Sequence, residues 1–198
     1  MLVARLDFPA NSVRELIDYA RQNPAKVNYG SVGAGGVNHL AMAWFNTQNN
    51  LEMQHVPYKG LVQGLQDIMA SRLDVMFAVI GGAAPLIKGG KMKGVAVSGK
   101  ARNPLIAEVP TFAEAGLPNF DASFYFGLAA PAGTPREMLA KFAAESARIV
   151  NTTEFREKYL NNLGFEPVSD SPEQFANFLR TDREAAAQKV KASGAKLD

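Results

Sequence analysis

The sequence predicts an α/β fold, on three observations. Short apolar runs alternate with amphipathic stretches at helical spacing through the first 120 or so of its 198 residues. The connections between them are brief and marked by glycine and proline. The stretch Val27–Phe45 reads as a strand, a turn with four glycines and an amphipathic helix, one strand-to-helix unit of a parallel sheet covered on both faces.

Met1–Ala4 opens the chain as an apolar strand with no polar lead-in, and we expect sequence to precede it in the parent protein. Ser12-Val-Arg-Glu15 is a capping box, in which serine and glutamate each satisfy a free backbone N–H. Val13, Leu16, Ile17 and Ala20 then follow at helical spacing until Asn23-Pro24 stops the helix. The helix after the glycine turn opens near Asn38 and His39 and presents Leu40, Ala43 and Trp44 as a core face.

Glu52–Val56 is the next strand, and Pro57-Tyr58-Lys59-Gly60 leads into a helix burying Leu61, Leu65, Ile68 and Met69. A strand at Asp74–Phe77, a short helix from Gly81-Gly82 to Gly89-Gly90 and a strand at Lys93–Val97 complete the alternation. Thr111-Phe-Ala-Glu114 is a second capping box, closed by Gly116. Ser123–Ala130 reads as a long aromatic strand, with Phe124 and Tyr125 buried in it. Beyond it the chain is almost wholly helical: a box at Thr134–Glu137 with a helix to about Val150, then a helix capped by Thr152 and burying Phe155, Tyr159 and Leu163. A short strand near 165–168 precedes a last helix capped by Ser171–Gln174 and packing through Phe175, Phe178 and Leu179.

This order divides the chain into a complete lobe at 5–122 and a C-terminal portion, 123–198 with strand 1–4, that has too few strands for a sheet of its own. Such a half-lobe needs a sheet supplied from elsewhere, and an isolated one is prone to self-association.

Composition narrows the function. A formal net charge of +2 with no run of Lys or Arg argues against nucleic acid or an acidic membrane surface. The absence of cysteine excludes disulfides and cysteine-based metal sites, and two histidines leave little for a transition metal. Neither a signal peptide nor an apolar stretch near 20 residues is present in the sequence.

The glycine turn is the candidate site. Glycines at 30, 33, 35 and 36 let the backbone approach a ligand, and the helix start beyond them offers unpaired N–H groups and partial positive charge. Together they form an anion seat suited to a small carboxylate. The dinucleotide fingerprint fails because Asn38 stands at its third glycine, the P-loop because Gly36 is followed by Val37-Asn38, and the nucleophile elbow because Tyr29 stands at its first glycine. A hydrolase would rest on Ser31 with His39 or His55, without an elbow to support it. Asp67 and Asp74, at or near element ends, read as structural.

The order of motifs supplies a family. Asn28-Tyr-Gly-Ser31, Gly33, Gly35 and His39-Leu40 resemble the N-Y-G-S-x-G-x-G-S-x-x-H-L pattern of the tripartite tricarboxylate transporter receptors, also called Bug (Bordetella uptake gene) solute-binding proteins. Val56-Pro-Tyr-Lys-Gly60, Asp74–Phe77, Glu108–Pro118 and Phe126–Pro135 are similar to further stretches of that family in the same order. The resemblance implies a periplasmic-binding-protein-like type II (Venus flytrap) fold, of which this chain holds one complete lobe and the C-terminal half of the other. It implies a signal peptide and roughly a hundred residues before Met1, from the usual size of a lobe.

It further implies a periplasmic receptor, monomeric at full length, that binds a small organic carboxylate and delivers it to membrane transporter subunits, without enzymatic activity, cofactor or metal. A carboxylate sensor with a signalling partner is the alternative. In such receptors loop backbone and hydroxyl groups hold the ligand. Ser31 would then donate its hydroxyl, the N–H groups of Gly33, Gly35 and Gly36 would face the carboxylate, and Asn38 and His39 open the helix, with His39 anchoring the loop. Tyr58 and Lys59 would reach the cleft from the second loop. Gly36 departs from the family's usual serine, and Ala78 stands where many members have an aspartate able to pair with a ligand amine. Ala78 therefore disfavours an amino-acid ligand.

Overall fold

The computed structural model describes residues 1–194. Its strands are β1 (Leu2–Arg5), β2 (Asn28–Ser31), β3 (Gln54–Pro57), β4 (Val75–Phe77) and β5 (Met92–Ala96). Interleaved with them are α1 (Val13–Gln22), α2 (Val37–Gln48), α3 (Leu61–Met69) and α4 (Ile80–Lys88). The five strands form one sheet in the order β3-β2-β4-β1-β5. β2 is parallel to both β3 and β4, while β1 lies antiparallel between β4 and β5.

That position corrects the assignment of residues 1–4 to the C-terminal portion. A Leu-Val-Ala run buried on both faces needs a neighbour on each side, and β4 and β5 supply them. Its side chains alternate as strand geometry requires. Leu2 and Ala4 pack with Leu16 of α1 and Met42 and Phe45 of α2, whereas Met1 and Val3 pack with Leu65 and Ile68 of α3 and Ala83 of α4. So α1 and α2 cover one face, and α3 and α4 the other.

Local signals set the helix ends. Ser12 Oγ accepts from the Glu15 N–H and Glu15 Oε2 accepts from the Asn11 N–H, and α1 buries the four residues its spacing marks. Thr111 and Glu114 exchange the bonds of their box around a turn. In α2 the buried set is His39, Ala41, Met42, Ala43 and Phe45, with Leu40 and Trp44 only half-buried, one step around the helix from the expected face. Trp44 instead lines a shallow hollow with Pro118 and Phe120. In α3, Leu65 and Ile68 are buried as expected, but Met69 is exposed.

Residues Met1–Ser123, with 189–194, form one compact unit, and Phe124–Gln188 form another. The second contains α5 (Arg136–Val150), α6 (Thr153–Phe155) continuing as irregular helical turns to Leu163, and α7 (Pro172–Ser193), which runs past its boundary. Ser171 and Gln174 exchange their box bonds, and Thr152 Oγ1 accepts from the Phe155 N–H. The box at Thr134 does not form, because its hydroxyl donates to the Pro131 carbonyl and Pro135 takes the cap position.

Two expected strands, 123–130 and 165–168, are absent: neither segment has a partner to complete a ladder among the described residues. Their aromatics still cluster, with Tyr125 against Phe178 at 4.9 Å and Phe124 against Phe165 at 6.0 Å. No residue of α5, α6 or α7 is buried, contrary to the core roles expected of Phe124, Tyr125, Tyr159, Leu163, Phe178 and Leu179, all of them exposed.

Candidate functional site

Three parallel strands end side by side, β3, β2 and β4, and each leads through a short loop into a helix. At the amino end of α2 stands Gly36, of α3 Gly60 and of α4 Val79, none of which offers a capping side chain. None of these helices carries an acidic residue in its first turn. Elsewhere the rule is reversed, with Glu15, Glu137, Glu154 and Glu173 in the first turns of α1, α5, α6 and α7. The carboxyl edge of the sheet therefore gathers three uncompensated helix starts, a field that favours an anion.

The strand order reverses between β2 and β4, with α2 leaving to one face and α4 to the other, and such a switch point opens a crevice. Asn38 sits at this junction and donates through its side-chain amide to the Phe77 carbonyl, tying the start of α2 to the end of β4. Ala78 is buried beside it. Its N–H donates to the Met1 carbonyl at 2.8 Å and its carbonyl accepts from the Met1 amine at 2.9 Å, so it contributes packing rather than a polar contact.

The glycine loop is folded tightly. Gly33 and Gly35 have φ of 87° and 76°, the left-handed region that side-chain-bearing residues avoid. Gly36 is different. Its φ of −68° suits any residue, and a Cβ there would meet the Val32 carbonyl oxygen at 3.0 Å.

Ser31 is fully buried and its hydroxyl donates to the Gly33 carbonyl at 3.0 Å, with His55 Nε2 at 2.6 Å on its other side. The expected hydroxyl donor to a ligand is therefore turned inward as a brace. Gly35 N–H likewise donates to His39 Nδ1 at 3.0 Å rather than facing the crevice. His39 thus anchors the loop.

Tyr58 also departs from expectation, since its hydroxyl donates to Asp67 Oδ2 at 2.9 Å. Burial, then the Asp67 carboxylate, pushes the phenol up to about 12. Asp67, held by Arg72 and Tyr58, lies below the usual carboxylate range. Lys59 is exposed at the head of α3. Asp74 binds Arg5 at 2.8 Å and accepts from the Asn28 N–H at 2.8 Å, a structural role.

His55, which the sequence marks only as one half of a nucleophile–base pair, is brought to Ser31 by the parallel register that sets Tyr29 beside His55 and Ser31 beside Pro57. The contact lacks the parts of a hydrolase. Ser31 is sealed from solvent, no carboxylate orients His55 among the described residues, and burial followed by the field of His39 pushes His55 down to about 4, too low for a general base at neutral pH.

With this geometry in place, comparison with known proteins is decisive about family. Residues 1–194 match the family described as "Tripartite tricarboxylate transporter family receptor". The chain belongs to that family. A UPF0065 protein of Bordetella pertussis is 33% identical over 180 residues, covering 91% of this chain and 55% of its own length. An R. palustris protein solved with adipate superposes with a TM-score of 0.84 at 30% identity, over 98% of this chain and 65% of its own. MatC from Rhodopseudomonas palustris, solved with malate, gives 0.77 at 27% identity, again over 98% and 65%. The chain thus spans about half the length of the curated relative and two-thirds of the solved ones. The α/β fold is theirs.

Proposed function

We propose that this chain carries the anion-holding half of a periplasmic receptor for small carboxylates, which hands its ligand to the membrane subunits of a tripartite transporter. One carboxylate group sits at the mouth of the glycine loop, on N–H groups of Gly33, Gly36 and the first turn of α2. The far end of the ligand is read by a second lobe. Lys59 supplies a neighbouring cation at the start of α3. The observation that carries this reading is the gathering of three uncapped, acid-free helix starts at one sheet edge. Adipate and malate in the two solved relatives have the matching chemistry. Ser31, buried and braced, serves the loop rather than a reaction.

The test is a thermal-shift titration of the chain with adipate and malate, since a ligand specific to the native state raises the melting temperature by mass action. Gly36→Asp is the paired variant, because its backbone angles accept a capping carboxylate that would occupy the seat. The expected outcome is a shift in the parent and none in the variant, whose ligand-free melt stays cooperative. An undiminished shift in Gly36→Asp would sink the proposed seat.

A further inference from the structure

The rings of Tyr29, His39 and His55 form a stack beneath the glycine loop. The two imidazoles lie 3.9 Å apart and 11° from parallel, and Tyr29 packs on His55 at 5.1 Å. Each imidazole holds one part of the loop, His39 through the Gly35 N–H and His55 through Ser31. The first of these bonds defines the protonation of His39. His39 Nδ1 accepts, so it is bare. Ser31 Oγ lies between the Gly33 carbonyl and His55 Nε2, a contact that either tautomer of His55 can make. The loop geometry seen here therefore belongs to neutral His39.

We infer that the His39–His55 stack is an acid-sensitive latch that positions the glycine loop, withdrawing the Gly35 N–H from an anion while neutral and releasing it once His39 is protonated. A proton on Nδ1 turns the acceptor into a donor, and the Gly35 bond cannot survive that change. The second ring then resists protonation, because two cations would face each other across the stack.

The surroundings favour the neutral state. Burial pushes His39 below its ordinary value, and His55 is driven lower by burial and by the charge of His39. The titratable group facing the pair from β2 is Tyr29, which burial raises and keeps neutral. Beyond β3, Tyr58 is engaged by Asp67, which Arg72 also holds, and beside β4 Asp74 is engaged by Arg5. No carboxylate is bonded to either ring among the described residues. Since His55 has a folded value near 4 against an ordinary 6.5, its contribution to stability is full above about pH 6.5 and lost as pH falls toward 4.

The latch rests on the proposed carboxylate seat only for its consequence, and it is tested without ligand. Amide and imidazole NMR resonances of the full chain are followed from about pH 8 down to about pH 3, a range that spans the ordinary histidine value and the His55 value near 4. The Gly35 amide is expected to move with the same midpoint as the His39 ring. His39→Gln, whose side-chain oxygen keeps an acceptor for Gly35 but does not titrate, should abolish that step and raise the His55 midpoint above about 4, burial still holding it below the ordinary value. His55→Gln, which keeps a donor for Ser31, should leave the step in place and remove the acid loss of stability assigned to His55. A Gly35 amide indifferent to His39 titration, a step that persists in His39→Gln, or unfolding before His39 titrates would each overturn the latch. Adipate melts at neutral pH separate the two ideas. A missing adipate shift with the Gly35 step intact sinks the seat alone, and a shift without the step sinks the latch alone.

Discussion

The two units of this chain use the same local grammar and reach opposite ends. In Met1–Ser123, helices close over both faces of a sheet, and Phe8, Phe45, Met76 and Phe112 are almost wholly removed from solvent. In Phe124–Gln188, helices that include the capped α6 and α7 bury nothing completely, leaving Phe126 80%, Leu128 70% and Phe142 60% exposed. Caps and spacing are enough to form a helix, but a core requires a second layer. The first unit owns its sheet, and the second has none among its described residues.

The largest expected effect lies in the first unit. Phe45→Ala should cost about 3–5 kcal/mol, the usual range for emptying a packed aromatic site, read as a lower midpoint in urea. Next come the matched caps. Ser12→Ala and Ser171→Ala each remove one bond from a box, and Ser12→Ala should lower the stability of the first unit by about 1 kcal/mol. Ser171→Ala should leave that transition in place and reduce only helical signal. The single tryptophan, Trp44, reports the first unit by fluorescence, while circular dichroism reports all helices. Equal losses from both caps in the fluorescence melt would show that the units unfold together and erase the contrast. The smallest effect is Phe142→Ser, expected within about 0.5 kcal/mol because the ring is already largely in water. A loss like that of Phe45→Ala would show that α5 is covered in solution.

Local features were the legible ones. The boxes at Thr111 and Ser171 need only residues three apart and form in full, and at Ser12 the serine caps Glu15 while Glu15 takes the N–H of Asn11, one residue earlier. The core stripe of α1 is equally local and matches its spacing. Thr134 has the same pattern, yet its hydroxyl finds the Pro131 carbonyl instead, a competition that pattern alone does not rank. The place of β1 was not legible, since an apolar run states that it is buried and not which strands flank it. At the site, the glycine positions announced a tight loop before a helix, as found. The direction of each N–H did not follow, because Gly35 and Ser31 answer to imidazoles on α2 and β3. A histidine 24 residues from Ser31 becomes its neighbour only through sheet register.

The three helix starts at the carboxyl edge also bear on the empty state. A site whose attraction comes from backbone dipoles is generous, because it discriminates charge before shape. On the proposed reading, inorganic anions abundant in any medium compete with a carboxylate for the seat. Apparent affinity will therefore follow the identity of the background salt, weaker in phosphate or sulfate than in a buffer of bulky anions. Selectivity then belongs to whatever reads the rest of the ligand.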